Sequence, residues 1–139
     1  MNVFRDQNPQ DALRFEADKV GRDYKVSRNF ELRELASKDR ANLVLLHPAL
    51  ILGLQTIRDH VGKPIRVSSG YRSPEHSIER RKANPGTHSQ GIAADIRVKP
   101  EDRYRFIKLA YELGFTGIGV SNRFVHLDIS KTRSAIWSY

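Results

Sequence analysis

His88-Ser89-Gln90-Gly91-Ile92-Ala93-Ala94-Asp95-Ile96 and Phe124-Val125-His126-Leu127-Asp128-Ile129 are the two runs that decide the fold. From Ile92 to Val98, alternation puts Ala94, Ile96 and Val98 on one face and Ala93, Asp95 and Arg97 on the other. In the second run Val125, Leu127 and Ile129 face one way, His126 and Asp128 the other. Each run reads as a strand with an apolar face for a core and a second face carrying metal-ligand chemistry. His88, Asp95 and His126 together supply two imidazoles and one carboxylate. Three such groups suit a catalytic zinc ion, because the fourth position stays open for water. That open position matters for hydrolysis, since the cation lowers the pKa of its water to roughly 7. The chain has no cysteine, which excludes a closed structural site built on thiolates and any disulfide. On spacing alone a second reading stands beside this one: a His and an Asp seven positions apart arise by chance, and strand histidines are often packed or solvated.

The 139 residues, 39% hydrophobic, fit one soluble globular domain over residues 1–139, with residues 1–27 as an N-terminal helical extension. No run approaches the ~20 apolar residues of a membrane span. The start, Met1-Asn-Val-Phe-Arg-Asp-Gln-Asn, lacks a basic region followed by an apolar one, so no secretory signal is expected. The formal net charge of +8 favours polyanionic partners: nucleic acid, anionic lipid or bacterial wall polymers. Solubility explains the same charge equally well. The basic residues are scattered apart from Glu79-Arg80-Arg81-Lys82, and no nucleic-acid motif accompanies them.

Along the chain, residues 8–22 read as a helix, with Asn8 as N-cap and Pro9 at the first position. Phe30 to Leu35 forms a short helical turn with Phe30, Leu32 and Leu35 inward. Pro48 to Val61 is the central packing helix, opened by Pro48 and closed by Gly62, with His47 as a capping or surface residue. Pro64 to Ser69 is a strand ending in the Gly70 turn. Arg72 follows, where a guanidinium fork presents itself to a carboxylate or forms a salt bridge with Glu75 or Asp95. Ser73-Pro74-Glu75 carries the signals of a helix start. Pro100 to Leu113 is a helix stopped by Gly114. Thr116 to Ser121 and Phe124 to Ile129 are strands joined by the tight pair Asn122-Arg123. The tail with Trp137 and Tyr139 packs back over the sheet edge. The expected fold is α+β: a small, mainly antiparallel sheet with helices on one face and an open cleft on the other.

His88-x-x-Gly91-x-Ala93-x-Asp95-Ile96, then Gly117-Ile-Gly-Val and Phe124-Val-His126-Leu-Asp128, resembles the peptidase M15 family. This family comprises zinc D-alanyl-D-alanine carboxypeptidases and L-alanyl-D-glutamate endopeptidases. Ser68-Ser-Gly-Tyr71-Arg72-Ser73-Pro74-Glu75-His76 and Phe30-x-x-x-Glu34-Leu35 extend the resemblance over residues 28–139. It implies the hedgehog/DD-peptidase fold, and zinc held by His88, Asp95 and His126. The expected substrate is a bacterial peptidoglycan peptide, with Arg72 on its carboxylate end. Ser69 and His76 are further candidate substrate contacts, although His76 equally suits a structural hydrogen bond. Size, charge and the absent leader add, by analogy, a phage lysis or virion-associated enzyme. Its expected locations are the host cytoplasm before release to the wall, or the virion, beside other particle proteins.

Two departures from the family pattern stand out. Relatives usually carry a serine two positions before the first histidine ligand, where this chain has Gly86. Many also place an acid three positions before the second histidine, where this chain has Arg123. A guanidinium cannot take a proton from water. Asp128 is the nearest substitute base, or else the partner that orients His126, and Glu75 and His76 are further candidates for proton transfer. The rival readings are a zinc-binding structural or wall-binding module without turnover, and a basic nucleic-acid binder.

Overall fold

The computed structural model describes residues 11–76, 78–84 and 86–139. In chain order the elements are β1 (Leu13–Glu16), α1 (Ala17–Val20), β2 (Lys25–Ser27), β3 (Phe30–Glu31) and α2 (Leu32–Leu35). β4 (Leu43–Leu46), α3 (Pro48–Val61), β5 (Arg66–Ser69) and β6 (Ala93–Arg97) follow. α4 (Arg103–Leu113), β7 (Gly117–Val120), β8 (Phe124–Asp128) and β9 (Ala135–Ser138) complete the chain. The main sheet has the order β5-β6-β8-β7-β9. β9 runs parallel to β7, and the other neighbours are antiparallel. The fold is α+β, with a mainly antiparallel sheet as expected.

One face of that sheet is apolar. Ile96, Val125, Leu127 and Ile118 are buried in one cluster with Leu50, Leu54 and Ile57 of α3 and Phe106, Ala110 and Leu113 of α4. α3 begins and ends where Pro48 and Gly62 place its limits. His47 caps it, with its Nδ1 accepting from the Ala49 N–H at 3.0 Å. His47 is fully buried, so the capping expectation holds and the surface one does not. No helix among the described residues is long and apolar enough to cross a membrane.

Three expectations are corrected. The helix expected over residues 8–22 is not formed across Leu13–Glu16, which is a strand paired with Leu43–Leu46. Only Ala17–Val20 is helical, and Asn8 and Pro9 lie outside the described residues. Leu13-Arg-Phe-Glu alternates as well as it spirals, and the partner strand decides between the two. Ser73-Pro74-Glu75 starts no helix. The Ser73 hydroxyl donates to Asp39 and its N–H to Ser37 Oγ at 3.1 Å, so its polar groups serve tertiary contacts and cap nothing. The tail does reach the sheet edge, but as the added strand β9.

Candidate metal centre

The polar face of the main sheet carries a row of directly opposed residues: Ser69, Asp95, His126, Gly119 and Trp137. Directly opposed side chains on one face are near neighbours, with Cβ atoms about 4.5–5.5 Å apart. Pairing β6 with β8 therefore brings Asp95 and His126 together across 31 positions of sequence. His88 arrives from the turn ahead of β6, where its Nδ1 lies 2.7 Å from the Gly70 carbonyl oxygen. That carbonyl only accepts, so Nδ1 donates to it and Nε2 is the ring nitrogen left to face Asp95.

One donor atom from each of His88, Asp95 and His126 lies within 4.8 Å of the other two. His88 Nε2 is 3.3 Å and His126 Nδ1 is 3.0 Å from Asp95 Oδ1. Tetrahedral zinc with bonds of about 2.0–2.1 Å spaces its ligand atoms about 3.3–3.4 Å apart, so the three groups fit that ion with small adjustments. They use opposite ring nitrogens, Nε2 of His88 and Nδ1 of His126. The reason is Asp128, whose Oδ2 lies 2.8 Å from His126 Nε2 and accepts the hydrogen bond from that nitrogen.

Asp128 is wholly enclosed. Its Oδ1 accepts from the Ser130 N–H at 3.0 Å, and its Oδ2 accepts from Arg133 Nη2 at 2.7 Å as well as from His126. The position opposite it on β7 is Gly117, where a Cβ would stand 2.1 Å from Oδ2. Only glycine leaves room for this carboxylate. Trp137 occupies the comparable space over Gly119, where a Cβ would meet its indole at 2.7 Å. The indole centroid is 5.3 Å from the His126 ring, and Arg133 stacks over it at 4.5 Å.

The electrostatics follow from this crowding. Burial pushes the Asp95 carboxyl up, but hydrogen bonds from His126 and His88 outweigh it and hold the group well below the usual carboxylate range. Burial also raises Asp128, and contacts with His126, Ser130 and Arg133 reverse the direction. For His126 burial works downward, yet Asp128 and Asp95 raise it above the ordinary histidine value. Two carboxylates thus stay charged, a state suited to a cation.

Arg72 belongs to this neighbourhood. Its Nε donates to Ser69 Oγ at 3.2 Å, while Nη2 stands 3.5 Å from Asp95 Oδ2 and Nη1 stands 3.9 Å from Glu79 Oε2. Of the two salt bridges the sequence leaves open for it, the Asp95 one forms. His76 is turned into its own loop, its Nδ1 accepting from the Ile78 N–H at 3.2 Å. Among the described residues no hydrogen bond or ion pair joins His76 to the three ligands. Arg123 is exposed at the tip of the β7–β8 hairpin. Trp137 and Arg72 flank the site, and His88, Asp95 and His126 are only 5–6% exposed.

Two residues of the site escaped the sequence reading. Arg133 has no periodic signal, since it sits in the polar run Ser130-Lys-Thr-Arg133. Glu79 reads only as the first residue of the charged run Glu79-Arg80-Arg81-Lys82, yet it is buried beside Ser89. Its Oε1 accepts from Ser89 Oγ at 2.8 Å and from the Gly86 N–H at 3.3 Å, and Lys82 Nζ is 2.6 Å from Oε2. A Cβ at Gly86 would lie 3.1 Å from Glu79 Oε1 and 2.9 Å from Lys82 Nζ. A side chain at this position would have to displace the ends of Glu79 and Lys82.

An α+β fold that sets Asp95 and His126 on paired strands and brings His88 to them from a turn presents a His-Asp-His group that could hold a metal ion. The chain belongs to the peptidase M15 family: the Peptidase M15 family model matches residues 28–128, which include all three candidate ligands and Asp128. Peptidases of this family are zinc-dependent. No curated protein matches the chain.

Proposed function

We propose that the chain is a zinc-dependent peptidase that cuts peptide bonds of the peptidoglycan stem, as a carboxypeptidase or endopeptidase in phage-encoded lysis of the wall. The observation that carries this reading is the convergence of one donor atom each from His88, Asp95 and His126 within 4.8 Å, with His88 Nε2 3.3 Å and His126 Nδ1 3.0 Å from Asp95 Oδ1. Family membership supports it. Those three groups hold the zinc. A zinc ion held there lowers the pKa of a bound water to roughly 7 and polarises a carbonyl. Asp128 fixes the ring and tautomer of His126. It is not the base, because both its oxygens are engaged and it is enclosed. Arg72 anchors a substrate carboxylate. Its Nη distances of 3.5 and 3.9 Å exceed the about 2.7–2.9 Å of a close charge-assisted bond, so the fork is aimed but not saturated. Ser69 braces it. The phage setting rests on size and charge by analogy.

The test is digestion of purified muropeptides by the zinc-loaded protein, read by mass spectrometry beside Asp95→Ala. New amine ends that vanish in the variant support hydrolysis. A second reading keeps the zinc site as a binding module without turnover. Its motive is that the two obvious base positions are Arg123, exposed and cationic, and Asp128, fully engaged. Intact muropeptides that nevertheless bind the zinc-loaded protein favour that module.

A further inference from the structure

A groove of about 430 Å³ lies between the C-terminal end of α3, the approach to β5, the end of β6 and α4. None of the three metal ligands lines it. Its walls include apolar Val98 and the buried Phe106, and its rim carries Arg66, Arg97, Lys99 and Arg105. Among the described residues these four cations form no ion pair within 4.0 Å. The one carboxylate of the lining, Asp102, is already 3.8 Å from Lys63.

Arg66 and Arg97 are the decisive pair. They are direct partners across the antiparallel β5–β6 ladder, and both are exposed. Like charges directly opposed on a sheet destabilise it. A ligand anion seated between them removes that repulsion. Each guanidinium offers a planar fork that matches two oxygens of a phosphate. The apolar walls give an uncharged portion of the same ligand a place to sit. The groove has the size of a small-molecule site.

We propose that this groove binds a small phosphate-bearing ligand with an apolar portion, with Arg66 and Arg97 gripping the phosphate. The site is separate from the metal centre, although Arg97 follows Asp95 by two residues, about 7 Å along β6.

The test uses zinc-loaded protein and phenyl phosphate, followed by amide chemical shifts, beside inorganic phosphate, Arg66→Gln/Arg97→Gln and Arg80→Gln/Arg81→Gln. Phenyl phosphate is expected to shift the amides of Arg66, Arg97 and Phe106 and to bind more tightly than inorganic phosphate. The Arg66→Gln/Arg97→Gln variant is expected to bind at least about tenfold more weakly. Its thermal midpoint without ligand should equal or exceed that of wild type, because the repulsion is gone. Shifts confined to the surroundings of His88 and His126 overturn the proposal. So does an equal loss in Arg80→Gln/Arg81→Gln, which would make the attraction a property of net charge. Displacement of phenyl phosphate by duplex DNA, with the same dependence on Arg66 and Arg97, overturns the small-ligand assignment.

Discussion

His126 Nε2 lies 2.8 Å from Asp128 Oδ2, so the acid two positions beyond the second histidine holds that histidine by its far nitrogen. Arg133 holds the acid in turn. Outer partners of this kind fix a ligand's tautomer and raise its basicity. Asp128→Asn keeps the shape and removes the charge. Zinc affinity should fall by about 10–100-fold, the usual cost of losing such a partner. Competition with a chelator measures it. If Asp128 were the base, turnover would collapse at unchanged zinc affinity.

Gly117 gives a steric test of the same contact. A Cβ there overlaps Asp128 Oδ2 at 2.1 Å, so Gly117→Ala must push the carboxylate off His126 or bend β7. The expected cost is about 1–3 kcal/mol in urea unfolding, the range for overpacking a filled site. Zinc affinity should weaken with it. A variant as stable and as zinc-avid as the parent contradicts the packing described here.

Glu79 ties the turn that carries His88 to the loop before it. Glu79→Ala leaves the Gly86 N–H and Lys82 without this partner and Ser89 with only the Arg72 carbonyl, at an expected cost of about 1–3 kcal/mol. Limited proteolysis should then cut within residues 78–84 sooner than in the parent. Glu79→Gln keeps an acceptor for Ser89 and should fall between the two.

The stability of metal-free protein should depend on pH through His126. Its pKa is raised above the ordinary 6.5 by Asp128 and Asp95, against the downward pull of burial. A raised histidine contributes stability that is fully present below the unfolded value of 6.5 and is lost as pH rises through the folded value. The urea midpoint of chelator-treated protein should therefore fall as pH rises above about 6.5 and through the raised folded value. Zinc requires the neutral ring, so the zinc-loaded midpoint should rise over the same range. A chelator-treated midpoint that rises instead contradicts the charged contacts drawn for His126.

Legibility in the sequence followed the range of the forces involved. α3 was readable because proline and glycine act locally at its two ends. β6, β8 and their hairpin partner were readable because period-two alternation needs no knowledge of the neighbour. β1 was not, since Leu13–Glu16 becomes a strand only by meeting Leu43–Leu46. β9 likewise depends on a parallel partner in β7. The cluster of His88, Asp95 and His126 was legible as residue types. The role of Asp128 was not, because it turns on where one carboxylate points and on Arg133 meeting it. The burial of Glu79 was not legible, because nothing in Glu-Arg-Arg-Lys reveals that one of the four faces inward.

Titration of metal-free protein with zinc, followed by the ring-nitrogen signals of the histidines, tests the centre most directly. The geometry predicts saturation at one zinc per chain, with coordination shifts at Nε2 of His88 and Nδ1 of His126, and loss of both in Asp95→Ala. Binding that leaves either nitrogen unshifted, or that persists unchanged in Asp95→Ala, would contradict it.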